Sequence, residues 1–141
     1  MSSAIGQVTT QAVAGHSGIV LMARLVGQGG LPVTQATINS VEVQVTDLTL
    51  VQNGQAGSVN TYTPAVASVI FNALQQTPPW SQDNQYQPGT DGLWGYNFLY
   101  VVPAVNFENS GDTFQIDVAF VPAAGEQFEV SFLVPTVKTF I

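Results

Sequence analysis

The sequence predicts an all-β fold, in which antiparallel sheets pack face to face and at most one short helix is present. Several short segments alternate apolar and polar residues, as strands with one buried face do. Turn residues separate these segments, and the 141-residue chain contains 13 glycines and 8 prolines. Only one segment has helical spacing. A chain of this length usually forms a single domain with its own core.

The chain carries very little charge, and this excludes several classes of partner. Charged residues make up 8% of the sequence, the net charge is −7, and Arg24 and Lys138 are the only fixed cations. Nucleic-acid binding needs several lysines or arginines against the phosphates, so we exclude it. Anionic membrane surfaces are excluded for the same reason. The absence of cysteine excludes disulfides, a thiol nucleophile and a thiolate zinc site.

Residues 1–16 are small and polar, and they predict an extended N-terminal arm ahead of one sandwich domain over residues 17–141. The arm is either a frayed terminus or a segment that lies on a neighbouring subunit. It lacks the basic start and the apolar run of a signal peptide. We therefore expect no secretory leader.

The first two strands of the domain differ in their patterns. Residues 17–27 place apolar side chains on both faces of a strand. This pattern is typical of a strand that is buried on both sides or covered by a partner. In residues 36–51, one face carries Val41, Val43 and Val45. Ile38 is out of phase with these valines, and a bulge near Asn39–Ser40 would restore the phase. The turn that follows contains Gly54, which suits a positive φ.

Residues 63–76 carry the only helical pattern, with Thr63 as a cap and Pro64 in the first position. The run Val69-Ile70-Phe71 also fits a strand, so we predict only a short helix or helical turn. Residues 77–93 form a long loop rich in proline and polar residues. Loops of this length within a domain are usually functional or disordered.

Residues 94–102 predict an aromatic-rich strand. One face carries the residues Trp94, Tyr96, Phe98, Tyr100 and Val102. We expect this stripe to anchor the core from a central strand. Gly95 and Asn97 lie on the opposite face, where little bulk is tolerated or a partner approaches closely.

The C-terminal hairpin is the clearest local prediction. Its strands, residues 111–120 and 126–134, both place even-numbered apolar residues on one face. A three-residue loop, Ala123-Ala124-Gly125, preserves this match, with Gly125 in the left-handed bulge position. The predicted register pairs Val118 with Val130 and Phe120 with Phe128. A slip of one residue would turn one apolar set outward.

No arrangement of residues predicts catalysis. The single histidine, His16, lies in the predicted arm, where a plain surface role is the better interpretation than a Ser-His-acid triad. Catalytic zinc needs two or three nitrogen or sulfur ligands, which the chain cannot supply. Asp117 and Glu129 face outward as diagonal neighbours, roughly 7–8 Å apart. That spacing suits an inverting glycosidase. Such an enzyme needs one carboxyl group with a raised pKa, and a flat solvated face does not raise it. We expect no enzyme activity and no cofactor.

The candidate binding residues lie in and beside the long loop. They are Trp80, Asp83, Asn84, Tyr86 and Trp94. Aromatic faces stack on sugars while amides and carboxylates bond hydroxyls, so this set could bind a glycan. The alternative, which we favour, is that the tryptophans pack the loop onto the core. Asp83, Asn84 and Asp91 could hold Ca²⁺, but their spacing matches no calcium loop and favours an acidic turn.

Three stretches carry a resemblance to a known group of proteins. They are GGLPVTQATINSVEVQVTDL, TPAVASVIFNALQQTPPW and GYNFLYVVPAVNFENSGDTFQIDVAFVPAAGEQFEVSFLV. Together, over about residues 29–134, they resemble small immunoglobulin-like virion proteins of tailed bacteriophages, of the baseplate and head-decoration type. Asp112-Thr113-Phe114 is similar to the corner at which such a sandwich enters its penultimate strand. Tyrosine often holds that corner, and phenylalanine lacks its hydroxyl bond.

The resemblance implies an immunoglobulin-like antiparallel β-sandwich and a structural role rather than an enzymatic one. We expect a component of the virion: a capsid decoration, neck, tail or baseplate protein that contacts other virion proteins and self-associates. The contact segments we expect are the arm, residues 77–93 and the C-terminal tail. The alternative function is a carbohydrate-binding module or adhesin that recognises a cell-surface glycan through residues 77–94.

Overall fold

A computed structural model describes residues 3–8, 12–13, 18–27, 31–57, 59–75, 95–107 and 111–137. Within these residues the chain forms nine strands and two short α-helices. In chain order, the strands are β1 (Ser3–Val8), β2 (Ala12–Val13), β3 (Ile19–Val26), β4 (Ile38–Asp47), β5 (Val59–Tyr62), β6 (Ile70–Gln75), β7 (Tyr96–Val102), β8 (Thr113–Pro122) and β9 (Phe128–Val137). The helices are α1 (Leu48–Gln52) and α2 (Val66–Val69). Single 3₁₀ turns span Gln35–Thr37 and Ala104–Asn106.

The strands form a sandwich of two sheets. One sheet has the order β1-β3-β7-β6, and the other has the order β2-β9-β8-β4-β5. The described pairs are antiparallel except for the two-residue pair of β2 with β9, which is parallel. The first order is that of the ABED sheet of an immunoglobulin sandwich, and β9-β8-β4 is that of its GFC sheet. The predicted all-β sandwich is confirmed.

The core lies between the two sheets and is filled by alternate residues of their inner faces. From β4 it takes Val41, Val43 and Val45, the three valines predicted to share a buried face. Phe98 of β7 meets Phe120 of β8 edge to face, with ring centroids 5.2 Å apart. Edge-to-face ring pairs add about 1 kcal/mol to the free energy gained from burial alone. Phe98 and Phe120 therefore join the two sheets at the centre of the molecule.

The corner before β8 is also aromatic. Phe114, where a tyrosine is often found, packs edge to face against Phe107 at 5.2 Å. Both rings are buried. Apolar packing thus takes the place of the hydroxyl bond that a tyrosine would make here.

Two local predictions about register are confirmed. The pairing of β4 with β8 shifts between Ile38 and Ser40, where a bulge was expected. In the hairpin, Val118 pairs with Val130 and Phe120 with Phe128. The connection is longer than the three residues predicted. β8 ends at Pro122 and β9 begins at Phe128, so five residues join them. Gly125 has the expected positive φ of 104°.

The short helix predicted within residues 63–76 is present, and the alternative strand pattern is present after it. One helical turn, α2, is followed directly by β6, so the competing strand pattern of Val69-Ile70-Phe71 prevails. Ile70 pairs with Phe98 and is buried in the core. A second short helix, α1, was not predicted. It begins after Asp47, whose side chain accepts a hydrogen bond from the Leu50 N–H at 3.2 Å.

Residues 1–16 were predicted to precede the domain as an arm. In the structure, parts of this segment pair with strands of the same chain. Residues of β1 pair with β3 from Ser3↔Val26 to Val8↔Leu21, and Ala12 and Val13 pair with β9. The described parts of the segment thus extend both sheets. Contact of this segment with a neighbouring subunit stays a prediction.

Candidate functional site

The five predicted binding residues, Trp80, Asp83, Asn84, Tyr86 and Trp94, lie outside the residues that the structure describes. His16 and Asp91 do so as well. Glycan binding through residues 77–94 therefore stays a prediction. What the structure does describe are the two residues that border this segment, Gln75 and Gly95. Gln75 pairs with Tyr96, so both borders lie at one end of the four-stranded sheet.

At that end of the sheet, the side chain of Asn97 makes hydrogen bonds of the kind that a strand backbone makes. It is fully buried, and its Oδ1 accepts a 2.7 Å hydrogen bond from the Leu25 N–H. Its Nδ2 donates to the carbonyls of Leu25, at 2.9 Å, and Val33, at 3.0 Å. Backbone pairing of β3 with β7 ends just before, at Ala23↔Phe98. The amide thus continues the hydrogen bonding between β3 and β7, and it also binds the backbone at Val33. This explains a polar residue among aromatic ones.

The aromatic stripe of β7 divides at Asn97, which corrects the sequence prediction. Phe98 and Val102 lie in the main core, but Tyr96 does not. Tyr96 packs in a second cluster on the outer side of the same sheet, where its ring meets Phe71 edge to face at 5.9 Å. The regular alternation fails at the point where the Asn97 side chain bonds to Leu25 and the backbone pairing of β3 with β7 has ended. We call the set Val20, Met22, Phe71, Tyr96 and Leu99 the outer cluster.

The outer cluster is the feature behind the two-sided apolar pattern of residues 17–27. Met22 at its centre is fully buried, whereas Val20, Phe71 and Leu99 are partly buried. Val101, two residues beyond Leu99 and so on the same face, is 53% exposed. Outer faces of antiparallel sandwiches are commonly polar. Around Met22, the described part of the four-stranded sheet is instead apolar on both sides.

The carboxylates of the final hairpin lie on a solvated face, as predicted. Glu129 pairs with Ala119 and is therefore the diagonal neighbour of Asp117. The Asp117 carboxylate accepts hydrogen bonds from Ser131 Oγ at 2.6 Å and from Gln115 Nε2 at 3.0 Å. Asp117 thus serves in cross-strand bonding, and its oxygens already have donors from the same sheet.

A closer pair of carboxyl groups, Asp47 and Asp112, escaped the sequence prediction. Their side chains are hydrogen-bonded, and this bond raises the pKa of Asp112 above its usual 3.8. Burial and the negative charge of Asp47 raise it further. The Asp112 carbonyl accepts hydrogen bonds from Thr136 N–H and Oγ1, at 3.0 and 2.8 Å. Asp47 could have been recognised in the sequence as a helix cap, but α1 itself was not predicted.

A groove opens at the end of the sandwich where β3 and β8 end and β4 and β9 begin. It has a volume of about 940 Å³ and lies between residues 27–38 and residues 122–128. We call it the end groove. Its described lining is mostly apolar, with Leu31, Ile38, Pro122 and Phe128 among the side chains, and Glu126 is the only charged residue in it. Leu31 is 73% exposed at its edge.

The two walls of the end groove are fixed by hydrogen bonds. The Ala123 N–H donates to the Thr37 carbonyl at 2.9 Å, which holds the β8–β9 connection against the 3₁₀ turn. The Gly27 N–H donates to the Leu31 carbonyl at 2.8 Å. Phe128 stacks on Phe120 with a centroid distance of 5.0 Å, so the floor of the groove continues into the core. The shape of the groove is therefore held by contacts of the fold itself.

Metal clusters and membrane-spanning helices are both absent from the described ranges. In those ranges, no three His, Cys, Asp or Glu residues come together in a way that could hold a metal ion. None of the helices found there has the length and apolar character needed to span a bilayer. Comparison of the chain with protein-family models, with curated proteins and with solved structures found no match to any of them.

Proposed function

We propose that the chain is a non-enzymatic structural component of a tailed-phage virion, located in the capsid decoration, neck, tail or baseplate. It acts through contacts with other virion proteins and with copies of itself. The observation that carries this proposal is the exposure of apolar side chains at two places on the sandwich. Val101 beside the outer cluster is 53% exposed and Leu31 at the end groove is 73% exposed, so both places offer apolar surface. Such surfaces usually mark contact sites between proteins.

The charge and the role of the carboxylates support the same function. With a net charge of −7 and 8% charged residues, the molecule is suited to apolar contacts rather than to steering charged ligands. Asp117 bonds across strands and Asp47 caps a helix, so these acids have structural partners. The resemblance of residues 29–134 to virion modules supports a place in a virus particle, and this resemblance is one of fold alone.

Quantitative mass spectrometry of purified particles tests this function. Particles from the source that encodes the chain are separated on a density gradient, and the copy number of the chain is compared with that of the major capsid protein. We expect a constant ratio across all particle fractions. A chain that stays at the top of the gradient, in the fraction of free proteins, would contradict the proposal.

A further inference from the structure

We propose that the end groove binds the C-terminal segment of a second copy of the chain, residues 138–141, so that copies associate head to tail. This inference rests on the proposed function, because it names the partner through which the molecule would assemble. The sequence of the segment is Lys-Thr-Phe-Ile. It lies directly after β9 and outside the residues that the structure describes.

The position of β9 excludes binding of this segment to the groove of its own chain. Phe128, the first residue of β9, lines the groove, and Val137 is the last residue of the strand. At about 3.3 Å per residue, the ten-residue strand places its end roughly 30 Å from the groove. Four further residues reach at most about 14 Å. The segment can therefore meet only the groove of another molecule.

The chemistry of the segment matches the groove. Glu126 is the one charged residue in the described lining. Lys138 is one of only two fixed cations in the sequence, and the other, Arg24, is buried in β3. Phe140 and Ile141 offer apolar side chains to a lining that includes Leu31, Pro122 and Phe128. In the proposed contact, Lys138 lies beside Glu126, and Phe140 and Ile141 pack against the apolar side chains of the groove.

The head-to-tail arrangement also has a consequence for the size of the assembly. The groove and the end of β9 are at opposite ends of the molecule, so each copy uses two different surfaces. Copies that align head to tail through this contact make a heterologous interface, which produces rings or open chains of copies. We therefore expect the mass of the assembly to pass beyond that of a dimer as the concentration rises.

Exchange of the two charges tests the contact in the full-length protein. Sedimentation velocity is measured for the wild type, Glu126→Lys, Lys138→Glu and the double variant. We expect each single variant to associate about tenfold more weakly than the wild type, because like charges then meet. The double variant regains association. Glu42→Lys, an exposed position on β4 away from the groove, is the matched control and should associate as the wild type does.

A mixture of the two single variants distinguishes a contact between copies from one within a chain. In an equal mixture, the unchanged Lys138 of the first variant meets the unchanged Glu126 of the second. The glutamate introduced in the second variant likewise meets the lysine introduced in the first, so association should return. Circular dichroism checks that each variant is folded. If Glu126→Lys fails to fold, Glu126→Gln replaces it, with an intermediate loss expected.

Three results would overturn the inference: a wild type that remains monomeric at every concentration, single variants that associate like the wild type, or a mixture that stays dissociated. These results are independent of the particle measurement. Presence in particles together with normal association of the single variants would reject the groove contact alone. Absence from particles together with a restored mixture would reject only the virion function.

Discussion

Asn97 shows how one polar side chain fixes the path of a strand. The amide makes three hydrogen bonds in a fully buried position and links β7 to Leu25 and Val33. The position is unusual in the sequence itself, because a polar residue interrupts an aromatic run. Its partners could not be identified from the sequence, since they lie 64 and 72 residues away in the chain.

Replacement of Asn97 should destabilise the protein strongly. Asn97→Leu leaves the Leu25 N–H and two carbonyls buried without their partner, and each such group costs about 1–3 kcal/mol. We expect the free energy of unfolding to fall by about 3–5 kcal/mol in urea denaturation. Asn39→Leu, at an exposed asparagine of β4, is the control and should change it by only about 0.5 kcal/mol. A loss below about 1 kcal/mol for Asn97→Leu would show that these bonds are dispensable.

The Asp47–Asp112 pair should make stability depend on pH in a definite direction. The folded pKa of Asp112 lies above its usual value of 3.8, so the native state binds the proton more tightly than the unfolded state does. The stability contributed by this proton is complete below the unfolded pKa and is lost as the pH rises through the folded pKa. When both groups are ionised, the charge of Asp47 opposes that of Asp112.

Asp112→Asn should therefore raise the melting temperature at neutral pH, because the amide can donate a hydrogen bond to Asp47 without carrying a charge. The gain should disappear as the pH is lowered past the unfolded pKa of Asp112. Thermal unfolding followed by circular dichroism across this pH range measures both effects. Glu42→Gln removes an exposed negative charge from the same strand as Asp47 and controls for the net charge. An equal gain in both variants would refute the role of the pair.

At the scale of elements, alternation of apolar residues was the most dependable guide. It located β3 and β4 and the final hairpin, including the bulge and the register, because burial on one face determines which residues pair. Over residues 63–76 it left helix and strand undecided, because the two patterns overlap within one short apolar run. Pairing of Ile70 with β7 decides that case, and no local pattern contains it.

The connection between α1 and β5 depends on close contact at Gly57. A Cβ atom added there would lie 2.7 Å from the Asp47 carbonyl oxygen and 2.8 Å from Val51 Cγ2. The backbone must shift to relieve this, so we expect Gly57→Ala to lower the free energy of unfolding by about 1–3 kcal/mol. Gly27→Ala is the control, because its nearest neighbour would be 3.6 Å away. Equal stability of the two variants in guanidinium denaturation would rule out the close contact.

For the whole molecule, the sequence predicted the sandwich class correctly but did not locate the end groove. Composition and alternation determine that two sheets must bury one face each. The end groove could not be predicted, because Leu31 and Glu126 are brought near each other only by the topology. The apolar outer cluster was indicated by the two-sided pattern of residues 17–27, although its partners Phe71 and Leu99 were not.

Light scattering from the purified full-length protein over a range of concentrations is the decisive measurement, because a molecule that acts by association must show it. We predict an average mass that rises with concentration above the 14.9 kDa of one chain and passes beyond two copies. A mass that stays at 14.9 kDa at every concentration would contradict a role in self-assembly. A mass that stops at two copies would instead indicate a closed dimer and contradict the head-to-tail arrangement.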